Sequence, residues 1–172
     1  MFPKNYYELM AEYNKWMDGK IYDVCQEIPD ELRKKDMGAF FKSIHSTLNH
    51  IYFGDIAWLE RLRDNKFMPR KIGVDMFEDF EELRASQEKI DSEIIDWARA
   101  LTPEILNKPF DYVSNVENFS RTLPTWVLAT HMFNHQTHHR GQVTTLIKQL
   151  GYEPGITDIP WLPCLDSYIS SE

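Results

Sequence analysis

The sequence predicts an all-α fold, a four-helix bundle contained in a single domain spanning residues 1–172. Four stretches of about 23–27 residues repeat apolar side chains at helical spacing, and almost no segment shows the alternation of a strand. At 1.5 Å per residue these helices would be about 35–40 Å long. Amphipathic helices of matched length most simply bury their apolar faces against one another in a bundle. A length of 172 residues suits one domain.

The first two helices are predicted over residues 6–28 and 39–62, joined by a charged connector at residues 30–38 with at most one helical turn. Pro29 ends the first helix. Its apolar stripe consists of Tyr7, Met10, Met17, Ile21, Val24 and Ile28. The stripe of the second helix consists of Phe41, Ile44, Leu48, Ile51, Trp58 and Leu62, and Asp55 falls inside it.

The third and fourth helices are predicted over residues 76–101 and 124–150, after a loop at residues 63–75. Gln87 interrupts the stripe of the third helix, whose first turns are acidic. Pro124 fits the first helical position of the fourth helix, and Gly151 suits its C-terminal cap. Between these helices, weak alternation at residues 110–113 and 118–122 predicts a short hairpin. The proline-containing tail, residues 152–172, is predicted to be irregular.

Composition narrows the function classes. Hydrophobic residues make up 42% and charged residues 27%, a globular balance. The chain has 19 basic and 27 acidic residues, a net charge of −8, which argues against nucleic acid as the main partner. Cys25 and Cys164 cannot form a disulfide framework, and we expect both thiols to be inert. With no signal-peptide pattern and no apolar run of about 20 residues, we expect a cytoplasmic protein without a membrane partner.

Two histidines occupy core positions of the fourth helix. Its stripe consists of Leu128, Met132, His135, His139, Val143, Leu146 and Leu150. At positions i and i+4 the rings of His135 and His139 lie on one face, close enough to share a metal ion. This is the spacing of zinc-binding HExxH helices, but no glutamate follows the first histidine, so the metalloprotease interpretation fails.

A third ligand would come from the second helix, which offers His45 and His50. These two lie about 140° apart around a helix, so they cannot face the same point. His50 is followed by Gly54 and Ala57, small residues that leave room beside the ring. A histidine on an apolar face is more often a hydrogen-bonded core residue than a ligand. Spacing alone therefore leaves metal binding and a structural role both open, and it favours a structural role for His45, His131 and His138.

Four motifs together resemble the DinB family of damage-inducible bacterial proteins, within the DinB/YfiT-like superfamily of metalloenzymes. They are YNKW at residues 13–16, SIHSTLNH at 43–50, DIAWL at 55–59 and NHQTHHRGQ at 134–142. The resemblance extends over residues 5–151. It implies a four-helix bundle, a homodimer, and a divalent metal ion held by His50, His135 and His139.

Three neutral imidazoles would leave an open position on the ion, as in catalytic rather than structural sites. Imidazole suits zinc, nickel, copper and iron, and we expect zinc or nickel. Asp55 and Arg140 are candidates for the surroundings of the site: Asp55 would orient a ligand histidine or pair with Arg140. The alternative for both is a structural ion pair between helices.

Relatives in the superfamily include thiol-dependent S-transferases and a thiol-dependent maleylpyruvate isomerase. The resemblance therefore implies a metal-dependent enzyme that uses a low-molecular-weight thiol and a small-molecule substrate. A metal-dependent hydrolase and a non-catalytic, metal-binding stress-response protein are the alternatives. DNA binding, which the family name suggests, is disfavoured by the net charge of −8.

Overall fold

A computed structural model describes residues 4–66, 72–113 and 120–168, and in these ranges the protein is mostly helical. Four helices are long: α1 (Lys4–Glu27), α3 (Ile44–Asp64), α4 (Phe80–Ala100) and α6 (Thr125–Gln149). Two are short: α2 (Asp30–Arg33) and α5 (Pro103–Asn107). The predicted helical class is confirmed. No helix in the described ranges is long and apolar enough to span a bilayer.

The long helices pack their apolar stripes into one core. Helix α1 packs against α4 and α6, and α3 packs against the same two helices. Burying a large apolar side chain contributes about 1.5–3 kcal/mol relative to leaving it exposed, which makes these stripes the main source of stability. Stripe residues that are fully buried include Tyr7, Met17, Ile21, Ile44, Leu48, Ile51, Leu83 and Ile94.

Helix α3 begins five residues later than predicted because a tight turn precedes it. Lys42 has a φ of 67°, a left-handed conformation that breaks a helix. Its N–H donates to the Ala39 carbonyl at 2.8 Å, and its carbonyl accepts from the Met37 N–H at 2.8 Å. Ser43 then caps α3, since its hydroxyl accepts from the Ser46 N–H at 3.0 Å. The turn leaves Phe41 buried beside α3 rather than on it.

Helix α4 also begins later than predicted. The side-chain oxygen of Asn49, on α3, accepts hydrogen bonds from the backbone N–H groups of Met76 at 2.8 Å and Phe77 at 2.9 Å. Those two residues are therefore held against α3 and cannot join α4. Asp79 is the N-cap, and its carboxylate accepts from the Glu82 N–H at 2.9 Å.

The predicted hairpin is present. Strand β1 (Pro109–Val113) pairs antiparallel with β2 (Ser120–Pro124), and Phe110 lies opposite Leu123. The second strand lies two residues later than predicted, and residues 114–119 fall outside the described ranges. Sequence analysis missed α5, whose start is capped by Thr102: its hydroxyl accepts from the Ile105 N–H at 3.3 Å.

Both ends of the last long helix follow their sequence signals closely. Helix α6 begins at Thr125, one residue after Pro124, which is the N-cap rather than the first helical residue. Gly151 follows the helix with a φ of 86°, the left-handed conformation typical of a C-terminal cap. The tail forms two short 3-10 helices, Ile159–Trp161 and Pro163–Tyr168, and buries Leu162 between them.

Candidate metal centre

Three histidine side chains converge between α3 and α6. Nε2 of His50 lies 3.2 Å from Nε2 of His135 and 3.1 Å from Nε2 of His139. Ring nitrogens bound at 2.0–2.1 Å to a tetrahedral zinc ion would stand about 3.3 Å apart. The observed spacing therefore fits three ligands of one ion.

The hydrogen bonds of His139 fix which of its nitrogens faces the cluster. Its Nδ1 lies 2.8 Å from Oε1 of Gln142, and an amide oxygen can only accept, so Nδ1 carries the proton. The amide nitrogen of Gln142 lies 3.3 Å from Nε2 of His138, where it can donate, which agrees with this amide orientation. Nε2 of His139 is then unprotonated, with its lone pair facing the other two rings.

Burial keeps the cluster neutral. It lowers the pKa of His50 to about 4 and that of His135 to about 3, with a smaller contribution from the neighbouring His139 ring. Burial also lowers the pKa of His139. At neutral pH the three rings are in the form that binds metal. If one of the three Nε2 atoms carried a proton, that proton could form at best a bifurcated hydrogen bond to the other two. A divalent cation, by contrast, accepts the lone pairs of all three Nε2 atoms.

Aromatic rings enclose one side of the cluster. The Phe41 ring stacks on the His50 ring with centroids 3.9 Å apart, and its centroid lies 5.5 Å from that of His139. Phe53 stacks on His50 at 6.1 Å. His50 and His139 are only 8% and 7% exposed. His135 is partly exposed, so solvent reaches the cluster beside it.

Gly54 provides the space that the His135 ring occupies. A Cβ atom at this position would lie 2.8 Å from Cε1 and 3.0 Å from Nδ1 of His135, closer than real Cβ contacts. The space predicted beside the His50 ring is therefore filled by the His135 ring of α6. Each ring has its own support: Gln142 for His139, Phe41 for His50 and Gly54 for His135.

The other three histidines lie outside this cluster. Nε2 of His45 lies 2.8 Å from the Phe77 carbonyl oxygen, on another side of α3. The His131 ring packs edge-on against Trp58 with centroids 4.9 Å apart. His138 contacts Gln142. The structural roles expected for these residues agree with their positions.

Asp55 lies behind the cluster rather than on it. One carboxylate oxygen accepts from the Gln87 side-chain amide at 2.8 Å, and the other accepts from the Gln136 side-chain amide. Asp55 makes no hydrogen bond to a ligand histidine or to Arg140 within the described ranges, so neither contact proposed from the sequence is found. Gln136 follows His135 directly in the chain, so Asp55 is linked to the histidine cluster indirectly, through Gln136.

Arg140 belongs to the same buried network. Its guanidinium donates to the side-chain oxygen of Asn14, and it lies 3.5 Å from a carboxylate oxygen of Asp18. Asn14 in turn donates to Asp91 at 3.2 Å. The expected inter-helix ion pair thus exists, but Asp18 rather than Asp55 is the acid.

This network contains three acids and, among the described residues, one cation. Carboxylate oxygens of Asp18, Asp55 and Asp91 lie within 4.8 Å of one another. Burial, followed by the neighbouring carboxylates, raises the pKa of Asp55 to about 8 and the pKa of Asp91 well above its usual range. Protons and Arg140 therefore balance the acids at neutral pH, and amide donors already occupy both oxygens of Asp55. We interpret this group as a hydrogen-bonded core network.

Sequence analysis missed Gln142, Asp18 and Asp91. Their signals are present as spacings: Gln142 lies three residues after His139, and Asp18 lies four residues after Asn14. Asp91 lies four residues after the stripe-breaking Gln87, a spacing that puts both side chains on one face of the helix. Polar residues at helical spacing within a stripe indicate a buried network.

The fold and the site define a mostly helical protein with a histidine cluster that could bind a metal ion. Comparison with known proteins identifies it further. The family model for the DinB family matches residues 1–168, and the chain belongs to that family.

Two relatives illustrate the similarity. The chain is 27% identical over 153 residues to Protein DinB of Bacillus subtilis (strain 168), covering 87% of this chain and 88% of that protein. The crystal structure of a DinB-like protein from Bacillus cereus is 21% identical with a TM-score of 0.64, covering 84% of this chain and 91% of that one. The second comparison shows a shared fold.

Proposed function

We propose that the protein binds one divalent metal ion through His50, His135 and His139, at the centre of a four-helix bundle. The observation that carries this proposal is the convergence of three neutral rings. The Nε2 atoms of His135 and His139 lie 3.2 Å and 3.1 Å from Nε2 of His50. Helices α3 and α6 supply all three rings, so the site forms when these two helices pack. Zinc or nickel suits an imidazole donor set, and we propose one of these two metals.

Three neutral ligands would leave the ion its full charge and an open position. A bound ion of this kind polarises a carbonyl oxygen or lowers the pKa of a bound water or thiol. The chain's own residues prepare the site: Gln142 holds the proton on Nδ1 of His139, and Phe41 excludes water from one face of His50. Within the described ranges no further His, Cys, Asp or Glu side chain joins the three histidines. This supports a catalytic rather than a closed structural site.

We propose an enzyme that uses a low-molecular-weight thiol and a small-molecule substrate, working as a homodimer. The support is the sequence resemblance together with the open side of the cluster at His135. A non-catalytic metal-binding protein would have the same three histidines, and turnover separates the two.

Elemental analysis tests the metal site directly. Purified wild-type protein and His50→Ala are compared with His138→Ala, in which an exposed histidine outside the cluster is removed. We expect about one equivalent of metal in the wild type and His138→Ala, and close to none in His50→Ala, with unchanged helical content by circular dichroism. An unchanged metal content in His50→Ala would remove His50 from the site.

Activity is tested separately with a panel of thiols that includes glutathione and bacillithiol, each with an electrophile. We expect turnover that depends on added metal and is lost in His135→Ala. Metal binding without metal-dependent turnover across the panel would contradict the enzyme proposal and leave the metal site intact.

A further inference from the structure

The histidine cluster is open to solvent on the side of His135. The Phe41 and Phe53 rings stack on His50, and the Phe41 ring also lies against His139. His135 is partly exposed, whereas His50 and His139 are buried. A molecule that approaches the cluster from solvent therefore does so beside His135.

His131 lies at this opening, one turn of α6 before His135. The centroids of the two rings are 6.0 Å apart, and His131 is exposed. The ligand atoms of the cluster lie within 4.8 Å of one another, and His131 does not belong to that group. Within the described ranges the His131 ring also makes no hydrogen bond. It therefore borders the donor set without being part of it, and its ring is accessible to a ligand.

The His131 ring is held in place by aromatic packing. It meets Trp58 on α3 with centroids 4.9 Å apart and ring planes at 65°. Trp58 is 6% exposed and stacks in turn on Tyr112 of β1, with centroids 5.7 Å apart and planes at 18°. This packing fixes the His131 ring and still leaves it exposed. A ring that is already fixed loses little conformational freedom when a ligand binds to it.

Small residues on α3 leave room beside this ring. Gly54 faces His135. Trp58, one turn later on α3, contacts His131. Ala57 lies three residues after Gly54, which puts it on the same face of α3, and it is partly exposed. Its methyl group covers little of the opening, so a small molecule has space next to the two histidine rings.

A flat ring at the opening favours flat ligands. Aromatic and conjugated groups that stack on another ring gain interaction energy beyond the burial of their apolar area. The Ala57 methyl group adds an apolar surface close to the His131 ring. A planar, unsaturated group is therefore the ligand chemistry that these surfaces complement.

We propose that His131 is a specificity-determining residue of the metal centre, and that the substrate carries a planar aromatic or conjugated group. This group stacks on the His131 ring while another atom of the substrate binds the ion. The inference rests on the proposed function, because it requires a metal ion with an open position, and it adds the class of substrate.

The test compares two ligands that share a metal-binding group and differ in the attached body, acetohydroxamate and benzohydroxamate. Their affinities for the zinc-loaded full chain are measured by isothermal titration calorimetry. We expect wild-type protein to bind benzohydroxamate about tenfold more tightly than acetohydroxamate. His131→Ala should weaken benzohydroxamate binding about three- to tenfold and leave acetohydroxamate binding unchanged. His131→Phe, which restores a flat ring, should keep the wild-type preference.

Matched variants locate the effect. His138 is also exposed and its ring lies 4.8 Å from that of His139, but it borders the covered side of the cluster. His138→Ala should therefore change neither affinity, and an equal loss of preference in His138→Ala would contradict the assignment to His131. Zinc content and circular dichroism are recorded for every variant. If His131→Ala does not fold, His131→Gln, which removes the ring and keeps much of its volume, decides in the same way.

The outcomes separate this proposal from the one on which it rests. Zinc-loaded protein that binds neither hydroxamate would have no open position, which would overturn both proposals. Binding of acetohydroxamate with no preference for benzohydroxamate, or the same preference in wild type and His131→Ala, would overturn only the role of His131.

Discussion

Gly54 is the position where one added methyl group tests the geometry of the histidine cluster. The Cβ atom of Gly54→Ala would lie 2.8 Å from Cε1 of His135. Carbon atoms pack at about 3.5–4.0 Å, so the ring must retreat by roughly 0.7–1.2 Å. Metal–ligand distances in protein sites lie within about 0.2 Å of their usual values, so a shift of this size moves the ring out of bonding distance unless the site rearranges. We expect Gly54→Ala to lower metal affinity by about 10–100-fold, the loss typical when the support of a ligand is removed.

The same substitution has an opposite effect on the helix. Glycine inside a helix costs about 0.5–1 kcal/mol relative to alanine, so relief of that cost offsets part of the steric strain. Gly19→Ala in α1 is the matched control, because a Cβ atom there meets nothing within 4 Å. It should stabilise the protein by up to about 1 kcal/mol and leave metal affinity unchanged.

The assay is a competition titration of zinc or nickel against a chromophoric chelator, with urea unfolding of the metal-free proteins alongside. The wild type, Gly54→Ala and Gly19→Ala are compared at one pH. Wild-type metal affinity in Gly54→Ala would refute the reasoning, because the His135 ring could not then be a ligand in the position described.

Three further outcomes follow from the structure. Gln142→Leu removes the hydrogen bond that orients His139 and should weaken metal binding about 10–100-fold in the same titration; an unchanged affinity would show that the bond is dispensable. Burial raises the pKa of Asp55 from 3.8 to about 8 in the folded protein, so the folded state holds an extra proton between these values and the contribution of Asp55 to stability falls as pH rises from about 4 to 8. The free energy of unfolding of the metal-free protein, from urea titrations, should therefore fall relative to that of Asp55→Asn by up to about 1.4 kcal/mol per pH unit; parallel profiles would contradict it. Thiol titration of the native protein should modify the exposed Cys164 first, whereas Cys25, buried and with its pKa raised to about 12, should react only on unfolding; two equally fast thiols would contradict this order.

The long helices could be predicted because each buries a continuous stripe, and periodicity records that directly. Their starting points could not, because tertiary contacts set them. The apolar stripe predicted for the second helix includes Phe41. The left-handed conformation of Lys42 keeps Phe41 out of α3, although tertiary packing still buries its side chain. Likewise the side-chain oxygen of Asn49 accepts hydrogen bonds from the backbone N–H groups of Met76 and Phe77, and these contacts have no local sequence signal.

In the histidine cluster, too, the features set by local spacing could be predicted from the sequence and those set by tertiary contacts could not. The spacing of His135 and His139 within one stripe predicted their shared face, and the structure brings His50 to them rather than His45. The partners of Asp55 could not be predicted, since the relative rotation of four helices decides which polar groups meet. An inward-facing polar residue signals a buried network, but the sequence does not identify its members.

That network also determines how α6 is turned about its own axis. Gln136 and Arg140 immediately follow His135 and His139, and both are fixed by groups on other helices. Turning α6 by one residue, about 100°, would withdraw the guanidinium and leave buried acids without a cation, at a cost of several kcal/mol. The network thus selects one orientation of α6 among those its apolar stripe alone would permit. In that orientation both His135 and His139 face His50.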